Sequence, residues 1–369
     1  MSRTIAIASG KGGVGKTNIA LNLAVTLAQA GKKVCLFDAD LGLANINILL
    51  GLYPEATLQD IIFEGRQPQD IMIKAAGIDI LPGSSGIEEV ANLDGGQLQH
   101  LVEQFSSLAD YDFVIFDTSA GIARNVMAFC LAVSELIMII TPEPTSLTDA
   151  YGLLKVMSVN GFNGSVKTII NNCKDPGEAK ESYLKFKTAV DQFLGLPVHG
   201  LGAVYWDQKL IEGVRRQKPF VILFPECGAS RCLQKIAERL IEEKEIVDEK
   251  DYLVSFWQRC FSSFSSPVKM PGEKEEPFEA PVAEQESSFS AAGSEDSTSS
   301  LEQGQSEDMP LLVPSPQKEA AQDKEDQRMI PAGAAEFWEM LIEEVMTISQ
   351  ELRLLRESIE KLQPGSSIP

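Results

Sequence analysis

The stretch Gly10-Lys11-Gly12-Gly13-Val14-Gly15-Lys16-Thr17 constrains this chain more than any other. Four glycines in eight residues favour neither a helix nor a strand, because glycine loses the most backbone freedom in either. The flanks behave oppositely. Residues 4–8 (TIAIA) are an apolar run of strand length. Residues 19–31 (IALNLAVTLAQAG) carry apolar side chains at helical spacing and end on Gly31, a natural C-cap. A strand, then G-x-x-x-x-G-K-T, then a helix is the context that turns the pattern into a phosphate-binding Walker A loop. Backbone N–H groups freed by the glycines point at phosphate oxygens, and the helix N-terminus adds its dipole. Gly10, Lys11, Gly12, Gly13, Val14, Gly15, Lys16, Thr17 and Asn18 are therefore the expected phosphate cradle. Lys16 is expected to reach the β- and γ-phosphates of ATP, and the Thr17 hydroxyl to ligate Mg²⁺. Lys11 is a second lysine that a single cradle does not need.

Such a loop belongs on a parallel sheet, and the rest of the chain supplies one. VCLFDAD, GIDILPG, DFVIFD, ELIMIITP, VKTIINN and VHGLGAV read as buried strands. Helical patterns at 96–109, 146–160 and 229–246 lie between or after them. The expected fold is α/β, a P-loop NTPase with a mostly parallel sheet and helices on both faces. Three acids end strand patterns: Asp38 and Asp40 in VCLFDAD, and Asp117 in DFVIFD. The carboxyl edge of an open parallel sheet is where ligands bind, so all three are candidates for the metal shell or for orienting water. Helix capping is the competing use of Asp38 and Asp40.

Composition narrows the function further. Of the formal net charge of −21, two-thirds lies in residues 265–369, which hold 22 acids and 8 bases. An acidic chain is poorly suited to sequence-independent DNA binding. Cys35, Cys130, Cys173, Cys227, Cys232 and Cys260 form no C-x-x-C pair, and only His100 and His199 could join them in a metal site. Reduced, buried thiols are expected. No signal-peptide pattern precedes the first strand and no apolar run reaches membrane-spanning length, which predicts a cytoplasmic protein.

The second lysine carries a family resemblance. KGGVGKT resembles the deviant Walker A loop of the MinD/ParA ATPases, and the likeness runs from about residue 3 to 245. DADLGLANINILLGL, ILPGSSGIEEVANL, FDTSAGIARNVMAF and TPEPTSLTDAYGLLK are similar to the FlhG/FleN branch, the MinD-like regulators of flagellar number and placement. The resemblance implies an ATP-sandwiched homodimer in which Lys11 reaches the partner's nucleotide. It implies catalytic roles for Lys11, Lys16 and Asp40, the last orienting the hydrolytic water. Asp38 would support the Mg²⁺ shell and Asp117 would be the Walker B acid. Asn171 would read the adenine, with Asn172 as the alternative, and Glu143 would face the dimer or the ribose. Slow intrinsic turnover is implied, and so are regulatory partners: the GTPase FlhF, flagellar switch proteins or a flagellar transcription activator. The first strand pattern begins at residue 4, which leaves no room for the N-terminal element by which relatives stimulate FlhF. The paired cysteines of the iron–sulfur relatives and the tyrosine-rich tail of the bacterial tyrosine kinases are missing from the sequence.

Four regions result: an ATPase domain at 1–250, an amphipathic helix at 251–264, an acidic disordered linker at 265–332 and a heptad-patterned helix at 333–363. In 251–264, Leu253, Phe256, Trp257, Cys260, Phe261 and Phe264 share one arc. By resemblance this is a membrane-targeting helix, with Phe256, Trp257, Phe261 and Phe264 entering the lipid, and it implies reversible peripheral association with the inner face of the cell membrane. A helix packed on its own domain would show the same pattern. Leu341, Val345, Ile348, Leu352, Leu355, Ile359 and Leu362 form the heptad seam. The leading expectation is a switch ATPase that regulates flagella. A DNA-partitioning or division-site ATPase is the alternative, and an ATP-dependent ligase on the same fold is a third.

Overall fold

A computed structural model describes residues 2–40, 45–83, 90, 93–243, 252–265 and 267–271. These lie in one compact unit. The expected heptad helix and nearly all of the acidic linker thus lie outside the described residues.

The elements in chain order begin with β1 (Arg3–Ser9), α1 (Lys16–Gln29), β2 (Val34–Ala39), α2 (Asn45–Leu50), α3 (Leu58–Glu64), α4 (Pro68–Ile71), β3 (Ile73–Ala75) and β4 (Ile78–Leu81). Next come α5 (Gly95–Phe105), β5 (Phe113–Ala120), α6 (Arg124–Ala132), β6 (Glu135–Ile140), α7 (Pro144–Val159) and β7 (Ser165–Cys173). The last are α8 (Pro176–Leu194), β8 (Val198–Tyr205), α9 (Gln208–Arg215), α10 (Phe220–Leu223), α11 (Gly228–Glu242) and α12 (Tyr252–Ser265). The strands form one eight-stranded sheet in the order β3-β4-β2-β5-β1-β6-β7-β8. Every pairing is parallel except β3 with β4, a short antiparallel edge.

Both faces of the sheet are covered, which is why its strands read as continuous apolar runs. The two-residue period of a strand sorts them: Ile5, Ile7, Leu36 and Ile115 enter one core with α1 and α11. Ala6, Ala8, Phe37 and Phe116 enter the other, with α5 to α8 and α12. Glu135, buried at the start of β6, is bonded at 2.6 Å by Arg3 and at 2.7 Å by Lys167, which joins three neighbouring strands at the edge opposite the loop. The strand expectations hold. The sequence reading leaves residues 176–194 unassigned, whereas the structure forms α8 there, with Asp175 capping Glu178 N, Pro176 in the first turn and Gly195 closing it at φ +63. All six cysteines are free, and only Cys227 is not buried.

The apolar arc of 253–264 packs on its own domain, the second of the two uses that its pattern allows: Phe256 and Trp257 are wholly buried, Phe261 and Phe264 nearly so. Trp257 lies 4.3 Å from Phe105, 5.6 Å from Phe116 and 5.9 Å from Phe37, ring centre to ring centre. Phe256 stacks on Phe116 at 4.8 Å, and Phe264 meets Phe129 edge-on at 6.0 Å. Arg259 donates to Ala132 O at the end of α6. The physical reason is area. Aromatic side chains each bury roughly 150–250 Å², and α12 covers the sheet face over β2 and β5 that α5 and α6 leave open. Among the described residues, no helix is long and apolar enough to cross a membrane.

Candidate functional site

The loop between β1 and α1 sits at the carboxyl edge of the sheet. Two positions show why it must be glycine-rich. A Cβ on Gly10 would lie 2.1 Å from the backbone of Asp149, because α7 passes directly behind the loop. Gly15 holds φ +86 and a Cβ there would lie 2.6 Å from the Asn171 amide. Gly12 and Gly13 have open space above them, where a phosphate could approach. The buried Val14 side chain anchors the loop in the core.

The two lysines diverge. Lys16, at the start of α1, turns inward and donates to Asp117 Oδ1 at 2.7 Å; the ammonium is almost fully buried and the carboxylate completely so. Lys11 turns outward and donates to Glu143 Oε2 at 2.6 Å and to Thr145 Oγ1 at 2.8 Å. Glu143 and Thr145 belong to the N-terminal end of α7.

The three acids gather as expected. Asp38 and Asp117 are register partners on β2 and β5, both fully buried. Asp38 Oδ1 accepts from Asp40 N at 3.2 Å and Asp38 Oδ2 from Ile46 N at 3.3 Å; Asp40 Oδ2 accepts from Asn45 Nδ2 at 3.0 Å. Asp38 and Asp40 thus hold the first turn of α2, so the capping role coexists with the site role. Burial pushes the Asp38 carboxyl up to about 8, helped by the nearby charge of Asp117. Burial also raises Asp117, against the pull of Lys16 and Thr17. Residues 41–44 and 84–89, which carry part of the family-like segments, lie outside the described residues.

The residues present fit Mg²⁺ shared with a nucleotide. Asp117 Oδ2 is buried without a hydrogen-bond partner among the described residues, beside the Thr17 hydroxyl. These are the hard oxygen donors that Mg²⁺ takes. Among the described residues no trio of His, Cys, Asp or Glu could hold a metal by itself. A metal here would complete its shell with phosphate oxygens and water, as Mg²⁺ does in nucleotide sites.

A cleft of about 370 Å³ opens beside the loop, lined by Lys11, Gly12–Gly15, Thr141, Glu143, Asn171 and Asn172 and by Tyr205, Trp206, Asp207, Leu210 and Ile211. That is in the size range of small-molecule sites. Asn171 donates to Val14 O at 2.8 Å, so it braces the loop from the cleft wall; its second N–H and its carbonyl are what a base could use. Asn172, the alternative, is exposed at φ +61. Asn18 lies in the first turn of α1. Its Oδ1 accepts from Asn22 Nδ2 at 2.8 Å within the helix. Thr141 and the Tyr205–Ile211 wall were missed in the sequence. Thr141 follows β6 directly and Tyr205, Trp206 and Asp207 end or follow β8, so the strand-end rule that found Asp38 and Asp117 would have found these; Leu210 and Ile211 lie on α9, beyond its reach.

Comparison with known proteins agrees with this geometry. A family profile described as "ParA: NUBPL iron-transfer P-loop NTPase" matches residues 1–241. The chain is 36% identical over 241 residues to the antiactivator FleN of Pseudomonas aeruginosa, covering 64% of this chain and 86% of that protein. It is 33% identical over 264 residues to the flagellum site-determining protein YlxH of Helicobacter pylori, covering 70% and 89%. Among solved structures, the septum site-determining protein MinD of Pyrococcus horikoshii, complexed with Mg-ADP, superposes with a TM-score of 0.52 at 29% identity, covering 66% of this chain and 97% of that one. With a Walker A lysine on a strand-end aspartate and an eight-stranded, mostly parallel sheet behind them, this chain belongs to the ParA family of P-loop ATPases, with FleN and YlxH among its relatives.

Proposed function

We propose that the chain is an ATP-driven dimerising switch that sets flagellar number or placement. One observation carries the dimer: the two lysines of a single loop point to different places. Lys16 serves the chain's own cradle, whereas Lys11 stands at the rim on Glu143 and Thr145. A rim lysine can neutralise phosphate charge on a nucleotide held by a second copy. ATP then joins two chains, and hydrolysis releases them. The flagellar direction is supported by the likeness to FleN and YlxH. It makes FlhF, flagellar switch proteins or a flagellar transcription activator the partner classes to test.

In the proposed cycle the loop N–H groups and Lys16 bind the phosphates, and Asp40 orients the attacking water. Asp38 and Asp117 hold the polar shell around the γ-phosphate. Mg²⁺ bound by Thr17 and Asp117 would neutralise the β- and γ-phosphate oxygens. Association with a membrane surface requires α12 to leave its place on the sheet, because its aromatic arc is occupied there.

Sedimentation velocity in ATP with Mg²⁺ and in ADP tests the switch. Wild type should dimerise only with ATP, Lys11→Ala in neither state, and Asp40→Ala should stay dimeric. Monomers throughout, or fast turnover unchanged by Asp40→Ala, would overturn it. A DNA-partitioning role needs a free basic face. Arg216 and Arg231, two of the bases Arg215, Arg216, Lys218 and Arg231 near the end of the core, are paired with Glu212 and Glu226, so the DNA reading is not adopted.

A further inference from the structure

The corner between α9 and α10 has no role in the chemistry described so far, yet it touches both ends of the site. On one side, Leu210 and Ile211 of α9 line the cleft beside the loop. On the other, Gln217 Nε2 donates to Ile48 O in α2 at 3.0 Å. Its amide also lies over the end of that helix, since a Cβ on Gly51 would come within 2.9 Å of Gln217 Oε1. Gln217 holds φ +52, a conformation that non-glycine residues seldom adopt, and from this corner its side chain reaches α2. A third contact fixes the corner to the loop helix: Val221 N donates to Asn22 Oδ1, and Asn22 Nδ2 donates to Asn18 Oδ1.

The far end of α2 is where the acids are. Ile46 N is bonded to Asp38 and Asn45 Nδ2 to Asp40. Three residues, less than one turn of helix, therefore separate Ile48, which Gln217 holds, from Asn45, which is bonded to Asp40. A shift of α9 on filling the cleft would move Gln217, and through it α2, as one body.

We propose that Gln217 is a positioning residue that couples occupation of the base side of the cleft to the placement of Asp40. The coupling rests on the nucleotide site and on the water-orienting role proposed above for Asp40, and not on the dimer or the flagellar reading. It predicts that the base contributes to turnover as well as to binding, and that this contribution passes through Gln217.

The test is a cycle between substrate and enzyme, run on the full chain by single-turnover hydrolysis with enzyme in excess. The substrates are ATP and ribose 5′-triphosphate, which lacks the base. The enzymes are wild type, Gln217→Ala and Gln217→Glu, the last keeping the length while replacing the donor with an acceptor. Wild type should hydrolyse bound ATP at least about five-fold faster than the base-free triphosphate, a typical size for coupling between sites. Both variants should hydrolyse ATP at the slower rate, with the base-free rate, the affinity for ATP and the melting temperature close to wild type. If a variant slows both substrates equally, Gln217 only stabilises the fold and the coupling is wrong. The coupling is equally overturned if wild type ignores the base or if the variants keep the full ATP rate. Failure of every enzyme to hydrolyse ATP would instead strike at the nucleotide site itself.

Discussion

Lys11 is held by Glu143 of its own chain, Nζ to Oε2 at 2.6 Å. The loop's outer lysine is thus occupied at the rim before any partner arrives. The pair is open to solvent, with Lys11 37% and Glu143 61% exposed. Exposed ion pairs are worth roughly 0–1 kcal/mol, so a phosphate can take the lysine over. Glu143→Gln should therefore tighten the ATP-state dimer by up to about five-fold, measured by sedimentation. A weaker dimer would mean that Glu143 belongs to the interface instead.

Lys16 and Asp117 make a buried pair, and removing one partner of such a pair strands the other. Lys16→Ala should destabilise the nucleotide-free protein by about 3–5 kcal/mol. Adding Asp117→Asn should restore a good part of that, since the stranded charge disappears. Urea unfolding of both single variants and the double variant gives the coupling. Strictly additive effects would contradict the pairing.

Asp38 keeps its proton to about pH 8 in the folded chain, against an ordinary value of 3.8. Between those values the unfolded chain has lost the proton that the folded chain retains. Rising pH therefore favours unfolding across this window, and the penalty is complete above it. Asp38→Asn removes the titration. Asparagine keeps only one of the two backbone hydrogen bonds that Asp38 accepts, a cost that is the same at every pH. In the absence of nucleotide the variant's melting temperature relative to wild type should therefore rise by about 2–4 °C from pH 4 to pH 8. Differential scanning fluorimetry across that range is sufficient, and a pH-independent difference would refute the account.

Trp257 is a core residue here. Trp257→Ala should cost about 3–5 kcal/mol of stability. Trp257→Phe should cost far less, because its indole N–H is buried without a hydrogen-bond partner among the described residues and its loss removes an unmet donor. If Trp257→Ala melts like wild type yet loses liposome flotation, the helix serves lipid after all.

The sequence alone determined the sheet, the loop and the site acids, because each rests on local chemistry. The strand runs, the glycine spacing at 10–15 and an acid closing a buried strand mean the same thing wherever they occur. Tertiary structure decided what those local patterns face. The arc Leu253–Phe264 is equally amphipathic toward lipid or toward Phe37 and Phe116, and only the uncovered sheet between α5 and α6 resolves it. Likewise, nothing in the spelling of residues 10–17 says which way Lys11 points. Its direction depends on Glu143 and Thr145, more than 130 residues away, which α7 carries to the rim of the loop.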